Sequence, residues 1–223
     1  QVPALMAGEN MKALTVVISP LQSLMKDQVD NLEKSGITDA VTINGLLDPI
    51  ERAKSIERVE NGSACLLYIS PESLRSKTIE RLLLGRGITR FVIDEAHCFS
   101  VWGQDFRPDY MYIADFIKLI QEKKQLEEPI PISCFTATAK QKVIEDIRGY
   151  FKDRLAVELE LFATNTSRTN LHYVVYNKGS EEEKYDMLRD LIESKDCPVI
   201  VYTSRTHRAT MLAEQLREDG FDA

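Results

Sequence analysis

The chain has 223 residues, enough for one large or two small domains and for a real core. With 43% hydrophobic, 28% charged and 8% aromatic residues, it lies outside the disordered and collagen-like classes. A formal net charge of −7 excludes a uniformly basic surface, so any contact with nucleic acid must be local.

The acidity is shared along the chain, with 20 basic and 24 acidic residues up to Thr164 and 8 and 11 after it. The four cysteines, Cys65, Cys98, Cys134 and Cys197, form no CxxC pair and mostly lie in or beside apolar runs. They read as reduced, buried thiols and do not have the spacing of a zinc site, so no zinc is expected within the chain. There is no apolar run long enough to span a membrane and no N-terminal signal pattern, which points to a cytoplasmic protein. The chain opens on Gln1 rather than Met and is expected to be a piece of a longer protein.

In chain order, short apolar runs alternate with helix-period segments: "LTVVI" (14–18), "AVTI" (40–43), "CLLYI" (65–69), "RFVID" (90–94) and "PISCF" (131–135). Such alternation specifies an α/β fold with a parallel sheet covered by helices on both faces. The runs are continuous rather than alternating, as expected of strands buried on both sides. Leu21, Leu24, Met25, Val29 and Leu32 recur at helical spacing and predict one apolar face of a helix ending near Gly36. The segment 137–151 predicts a further helix. After a less regular stretch come "LHYVVY" (171–176), a charged helix over 181–194, "PVIVYT" (198–203) and a helix to about Leu216. This pattern predicts the start of a second α/β unit without room for a complete sheet.

The segment "VIDEAHCFSVWGQDFRPDY" (92–110) carries the chemistry. A strand ending in Asp94 and Glu95 puts two carboxylates at the carboxyl edge of a parallel sheet, where ligands of such folds bind. In P-loop phosphate-transfer enzymes a strand-end Asp holds Mg²⁺, and an adjacent carboxylate can take a proton from the attacking water. The alternative is that the segment 94–97 only ends the strand and caps the next turn of chain. Beyond it, Trp102 and Phe106 offer flat faces to unpaired bases, each stacking contact being worth roughly 1 to 3 kcal/mol whatever the base. Arg107 can hold a phosphate or pair with Asp105 or Asp109. Trp102 can instead plug the loop against the sheet.

The sequence resembles the RecQ branch of superfamily 2 DNA helicases. "VISPLQSLMKDQV" (17–29), "LLYISPESL" (66–74), "DEAH" (94–97) and "FTATA" (135–139) resemble that family's motifs Ia, Ib, II and III, in that order. "CFSVWGQDFRPDY" (98–110) resembles its aromatic-rich loop, and "SRTNL" (167–171) and "VIVYTSRTHRATMLAEQL" (199–216) its segments beyond the domain junction. The resemblance implies a first RecA-like domain over 1–164 and a partial second over 165–223. It implies ATP and Mg²⁺ as cofactors, with Asp94 organising the metal, Glu95 polarising the hydrolytic water and His97 linking the nucleotide site to Thr136 and Thr138. Those threonines have a bland alternative as strand-end and N-cap groups of the next helix. The resemblance further implies single-stranded and duplex DNA as partners, touched by Ser19, Trp102, Phe106, Arg107, Arg168, Asn170 and Ser204.

Two positions depart from the family. Val101 stands where Gln is usual and Gln104 where His is usual, and Gln can hydrogen-bond but cannot carry charge. Coupling through Gln104 therefore cannot be tuned near neutral pH as a histidine would be. No G-x-x-x-x-G-K-[ST] phosphate loop occurs in the chain. The implied activity is 3′-to-5′ unwinding coupled to ATP hydrolysis in the parent protein, with the chain alone inactive. Competing readings are another superfamily 2 motor, either an RNA helicase or a duplex translocase, and a non-catalytic DNA-binding or scaffold module.

Overall fold

In a computed structural model the chain divides into two compact units, Gln1–Phe162 and Ala163–Ala223. The structure describes residues 1–102, 106–137, 140–163, 170–177, 179–195 and 197–223.

The first unit is built on five parallel strands, β1 (Leu14–Ile18), β2 (Ala40–Ile43), β3 (Leu66–Ile69), β4 (Ile88–Ile93) and β5 (Ile132–Cys134), in the spatial order β2-β3-β1-β4-β5. Every residue of β1, β2 and β3 is buried, as their unbroken apolar character requires of strands covered on both faces. Successive side chains point to opposite faces, so β1 alone feeds two cores. Leu14, Val16 and Ile18 join the core under α3 (Pro49–Glu60), α4 (Lys77–Leu84), α5 (Ile113–Lys124) and α6 (Gln141–Leu155). Val17 packs on the other face with Ala4 of α1 (Val2–Met11) and with Met25, Val29 and Leu32 of α2 (Gln22–Lys34).

The helix ends follow local chemistry. Asp48 caps α3 through a reciprocal pair with Glu51, the side chain of each accepting from the backbone of the other. Buried Glu80 on α4 is paired with Lys77 and with Lys123 of α5, which ties two helices of the same layer.

Three expectations change. The helix α1 has no counterpart in the sequence reading. It lies so close to the start of β3 that a Cβ on Gly8 would stand 2.3 Å from the Cβ of Cys65, so only glycine allows that approach. The stripe on α2 is shorter than its spacing suggests, since Leu21 and Leu24 are exposed while Met25, Val29 and Leu32 are buried. Its first turn begins at the carboxyl edge, where the sheet beneath it ends. The helix near 137–151 runs instead from Gln141 to Leu155, with Lys140 at its N-cap.

The second unit holds α7 (Glu181–Glu193), opened by a Ser180–Glu183 capping box, and α8 (Thr206–Glu218). Its apolar runs at 171–176 and 198–203 carry no strand pairing among the described residues. Tyr173, Val175, Ile200 and Tyr202 are exposed accordingly, because a strand forms only against a hydrogen-bonding neighbour. This unit also holds an open cavity of about 360 Å³, lined by Lys195, Pro198, Val199, Val201, Leu212 and Leu216 among others. No helix among the described residues is long and apolar enough to cross a membrane.

Candidate functional site

Because the strands are parallel, the carboxyl ends of β1, β4 and β5 meet at one edge, and this brings together residues far apart in sequence. Ser19, one residue past β1, donates from its hydroxyl to Asp94 Oδ2 at 3.3 Å. Asp94 Oδ1 accepts from the backbone N–H of Glu95 at 3.0 Å, and the backbone of Asp94 continues the ladder by donating to Ile18 O. The chain then turns sharply. Glu95 is left-handed, at φ 48° and ψ 46°, and opens a one-turn 3₁₀ helix over Ala96–Phe99. A non-glycine residue in that region costs about 1 to 2 kcal/mol, a strain of the kind concentrated at functional turns. The turn is held on both sides, since Ala96 N–H donates to Phe135 O and Cys98 N–H to Glu95 O.

His97 joins three elements. Its Nδ1 lies 3.1 Å from Glu95 Oε2 and 3.2 Å from Thr136 Oγ1. In the tautomer with its hydrogen on Nδ1, His97 can donate to either the carboxylate or the threonine oxygen. The N-cap of α6 is Lys140.

The aromatic loop is fastened at several points while its tryptophan and Phe106 stay outside. Ser100, buried, donates to Asp146 Oδ2 on α6 and accepts the backbone N–H of Trp102 at 3.1 Å. Arg107 N–H returns to Cys98 O at 3.1 Å. Tyr110, fully buried, donates its hydroxyl to Asp94 O at 2.9 Å. Phe99 packs its ring edge-on to Tyr110 at 5.2 Å between centroids and against Tyr150 at 4.7 Å, which fixes the base of the loop in the core. Burial, with the neighbouring Cys98 and Asp94, pushes the Tyr110 hydroxyl well above the usual tyrosine range, so it remains a donor. Trp102 is 68% exposed and Phe106 38% exposed, so the tryptophan is not a plug against the sheet.

Of the two carboxylates that the sequence offers Arg107, Asp109 is engaged elsewhere and Asp105 lies outside the described residues. Asp109 pairs with Arg75 at 3.5 Å, and Arg107 Nη1 donates to the carbonyl of Pro20 at 3.1 Å, tying the loop to the segment after β1. Asn170 and Ser204 are exposed in the second unit. Gln104, Thr138 and Arg168, together with Asp105, lie outside the described residues. Ser100, Tyr110 and Asp146 were not singled out from sequence, and only a polar residue facing a buried neighbour betrays them.

Asp94 suits a magnesium ion. Each of its oxygens gives one lone pair to a protein donor and keeps another, and carboxylate oxygens are the hard ligands Mg²⁺ takes. Among the described residues no group of three or more His, Cys, Asp or Glu side chains is placed to hold a metal.

The DEAD/DEAH box helicase family model matches residues 1–147. Curated relatives include the probable ATP-dependent DNA helicase RecS of Bacillus subtilis, 35% identical over 94% of this chain and 40% of the relative. The ATP-dependent DNA helicase RecQ of the same organism is 36% identical over 98% of this chain and 34% of its own length. The chain thus spans well under half of the curated relatives it matches. Among solved structures, the DUF1998 helicase MrfA superposes over 97% of this chain and 33% of its own with a TM-score of 0.68 at 16% identity. The Mycobacterium smegmatis helicase Lhr does so over 93% and 28% with a TM-score of 0.63 at 16% identity, which shows the shared fold. The chain belongs to the DEAD/DEAH box helicase family, and its similarity to RecQ-type DNA helicases extends over nearly its whole length.

Proposed function

We propose that this chain supplies part of the motor of an ATP-dependent DNA helicase that moves 3′ to 5′ on single-stranded DNA. The observation that carries the reading is the fastening of an exposed aromatic loop to the strand-end carboxylates, through Tyr110 to Asp94 and through Arg107 to the segment after β1. When bound, Mg²⁺ neutralises charge on the nucleotide phosphates, and Asp94 is the residue that would hold it.

Glu95 is the base that takes the proton of the attacking water. Its left-handed backbone and its contact with His97 fix where that carboxylate points. His97 carries the state of the nucleotide side to Thr136, with Thr138 and Gln104 as the further coupling residues. Trp102 and Phe106 stack on bases, while Arg107, Arg168, Asn170 and Ser204 contact the strand; Ser19, expected from sequence to touch DNA, is 3% exposed with its hydroxyl on Asp94 and instead positions that carboxylate. The second unit is the opening part of a second RecA-like domain. The 223 residues alone do not hydrolyse ATP, because their sequence has no phosphate-cradling loop.

The test takes the whole protein that carries this chain and measures ATPase rates with and without single-stranded DNA. Glu95→Ala lowers hydrolysis by about 10²- to 10⁴-fold. Trp102→Ala loses the DNA-stimulated increment. Unwinding requires a 3′ tail. Equal stimulation by single-stranded RNA would move the protein to the RNA motors, and a wild-type Trp102→Ala would remove the loop from DNA sensing.

A further inference from the structure

Trp102 is the sole tryptophan of the chain, and its backbone is held by a side chain that is in turn anchored outside the loop. Ser100 is 1% exposed, and its hydroxyl works in both directions: it accepts the N–H of Trp102 and donates to Asp146 Oδ2. A hydroxyl has one hydrogen, so its donation to the carboxylate sets its lone pairs toward the Trp102 amide. The other oxygen of Asp146, Oδ1, pairs with Lys142 one turn earlier at 3.4 Å. The helix that carries both residues is seated in the core by Val143, Ile147 and Phe151. It also begins at Gln141, just after the segment in which Thr136 meets His97.

We propose that Asp146 is a positioning residue for DNA recognition: through Ser100 it sets the posture of Trp102 and joins it to the helix that follows the Thr136 segment. Two routes then run from the nucleotide edge to the exposed ring. One passes along the chain from Asp94 through Ala96–Phe99 to Ser100. The other crosses from Thr136 through α6 to Asp146 and back to Ser100. A shift of α6 relative to β4 pulls on the loop at Ser100 without passing through Glu95. The inference rests on the proposed DNA-binding role of Trp102, yet the posture of the ring is measurable without DNA.

The test takes the whole protein that carries this chain, with any tryptophan other than Trp102 replaced by phenylalanine, and Trp102 fluorescence is the reporter. In Asp146→Ala the steady-state anisotropy of Trp102 falls and iodide quenching rises, while far-UV circular dichroism stays as in the wild type. The apparent Kd for a dT oligomer of about 16 nucleotides, read as fluorescence quenching, weakens about 5- to 20-fold, the scale of one lost charge-assisted hydrogen bond. Asp146→Asn keeps an acceptor for the Ser100 hydroxyl and recovers most of both signals. Ser100→Ala breaks the same link from the loop side and gives both changes even if Asp146→Ala fails to fold. Wild-type anisotropy in folded Asp146→Ala or Ser100→Ala overturns the proposal, as does an Asn variant no better than the alanine. If dT fails to quench wild-type Trp102 while the anisotropy changes appear, the DNA role of the loop is wrong and the positioning link stands.

Discussion

His97 Nδ1 stands 3.2 Å from Thr136 Oγ1, so the turn after β4 and the segment after β5 share one hydrogen-bonding nitrogen. The same nitrogen faces Glu95, the proposed base, at 3.1 Å. Any displacement of Thr136 is therefore felt by the residue that aims Glu95.

This contact predicts non-additive mutants. In the whole protein, His97→Ala and Thr136→Ala each lower DNA-stimulated hydrolysis, and the double mutant is barely worse than the more damaging single one. A double-mutant cycle on kcat/KM returns a coupling of about 0.5 to 3 kcal/mol, as expected of side chains in contact. Additive effects would show that the two residues act separately.

Glu95 predicts a conflict between stability and function. Its left-handed backbone costs about 1 to 2 kcal/mol for an ordinary side chain, and Asn tolerates that region better. Glu95→Asn removes the proposed base, so hydrolysis falls, while the Tm stays level or rises. A Tm several degrees lower would mean that the Glu95–His97 contact outweighs the strain.

The cysteines separate by burial. Cys197 is exposed, whereas Cys65 and Cys98 are buried, and burial pushes the Cys134 thiol up to about 12. A thiolate is the reacting form, so native protein at about pH 8 takes up one equivalent of iodoacetamide at Cys197, and the other three react only after unfolding. Peptide mapping of the alkylated sites reads the result directly; early modification of Cys134 would contradict its placement.

Buried Tyr110 and half-buried Tyr150 set an alkaline limit. Burial holds Tyr110 above the usual range and raises Tyr150 to about 12. Both donate hydrogen bonds only while protonated, Tyr110 to Asp94 O and Tyr150 to Met111 O. A raised folded-state value stabilises the fold fully below the unfolded value of about 10, and that stabilisation is lost as the pH rises above it. Urea midpoints therefore decline between about pH 10 and 12, and Tyr110→Phe flattens that decline at the cost of about 1 kcal/mol at neutral pH. An unchanged alkaline slope in the variant would assign the decline to other groups.

The strands at 14–18 and 40–43 stand where their apolar runs place them, and β3, β4 and β5 differ from the sequence expectation only at their ends. Such runs are local signals, because burial on both faces leaves no polar alternation. The helix α1 escaped notice because its burial rests on Ala4 and on the close approach at Gly8, neither of which makes a periodic pattern. Leu21 and Leu24 misled for the opposite reason: spacing reports a shared helix face, but not how far the sheet extends beneath it.

The carboxylates were legible because a parallel strand that ends in Asp-Glu must deliver both to the ligand edge. Their surroundings were not legible. Ser19 reaches Asp94 across 75 residues and Ser100 reaches Asp146 across 46, contacts that exist only because β1 lies beside β4 and α6 packs under the loop. Periodicity and strand-end chemistry are written in neighbouring residues, so the sequence by itself determined the parallel α/β layers, the acidic edge and the aromatic loop. Strand order and the partner of each buried hydroxyl arise from the packing of distant segments, so only the tertiary structure decided that Tyr110 holds Asp94, that Arg107 turns to Pro20, and that Trp102 stands exposed on a link anchored in α6.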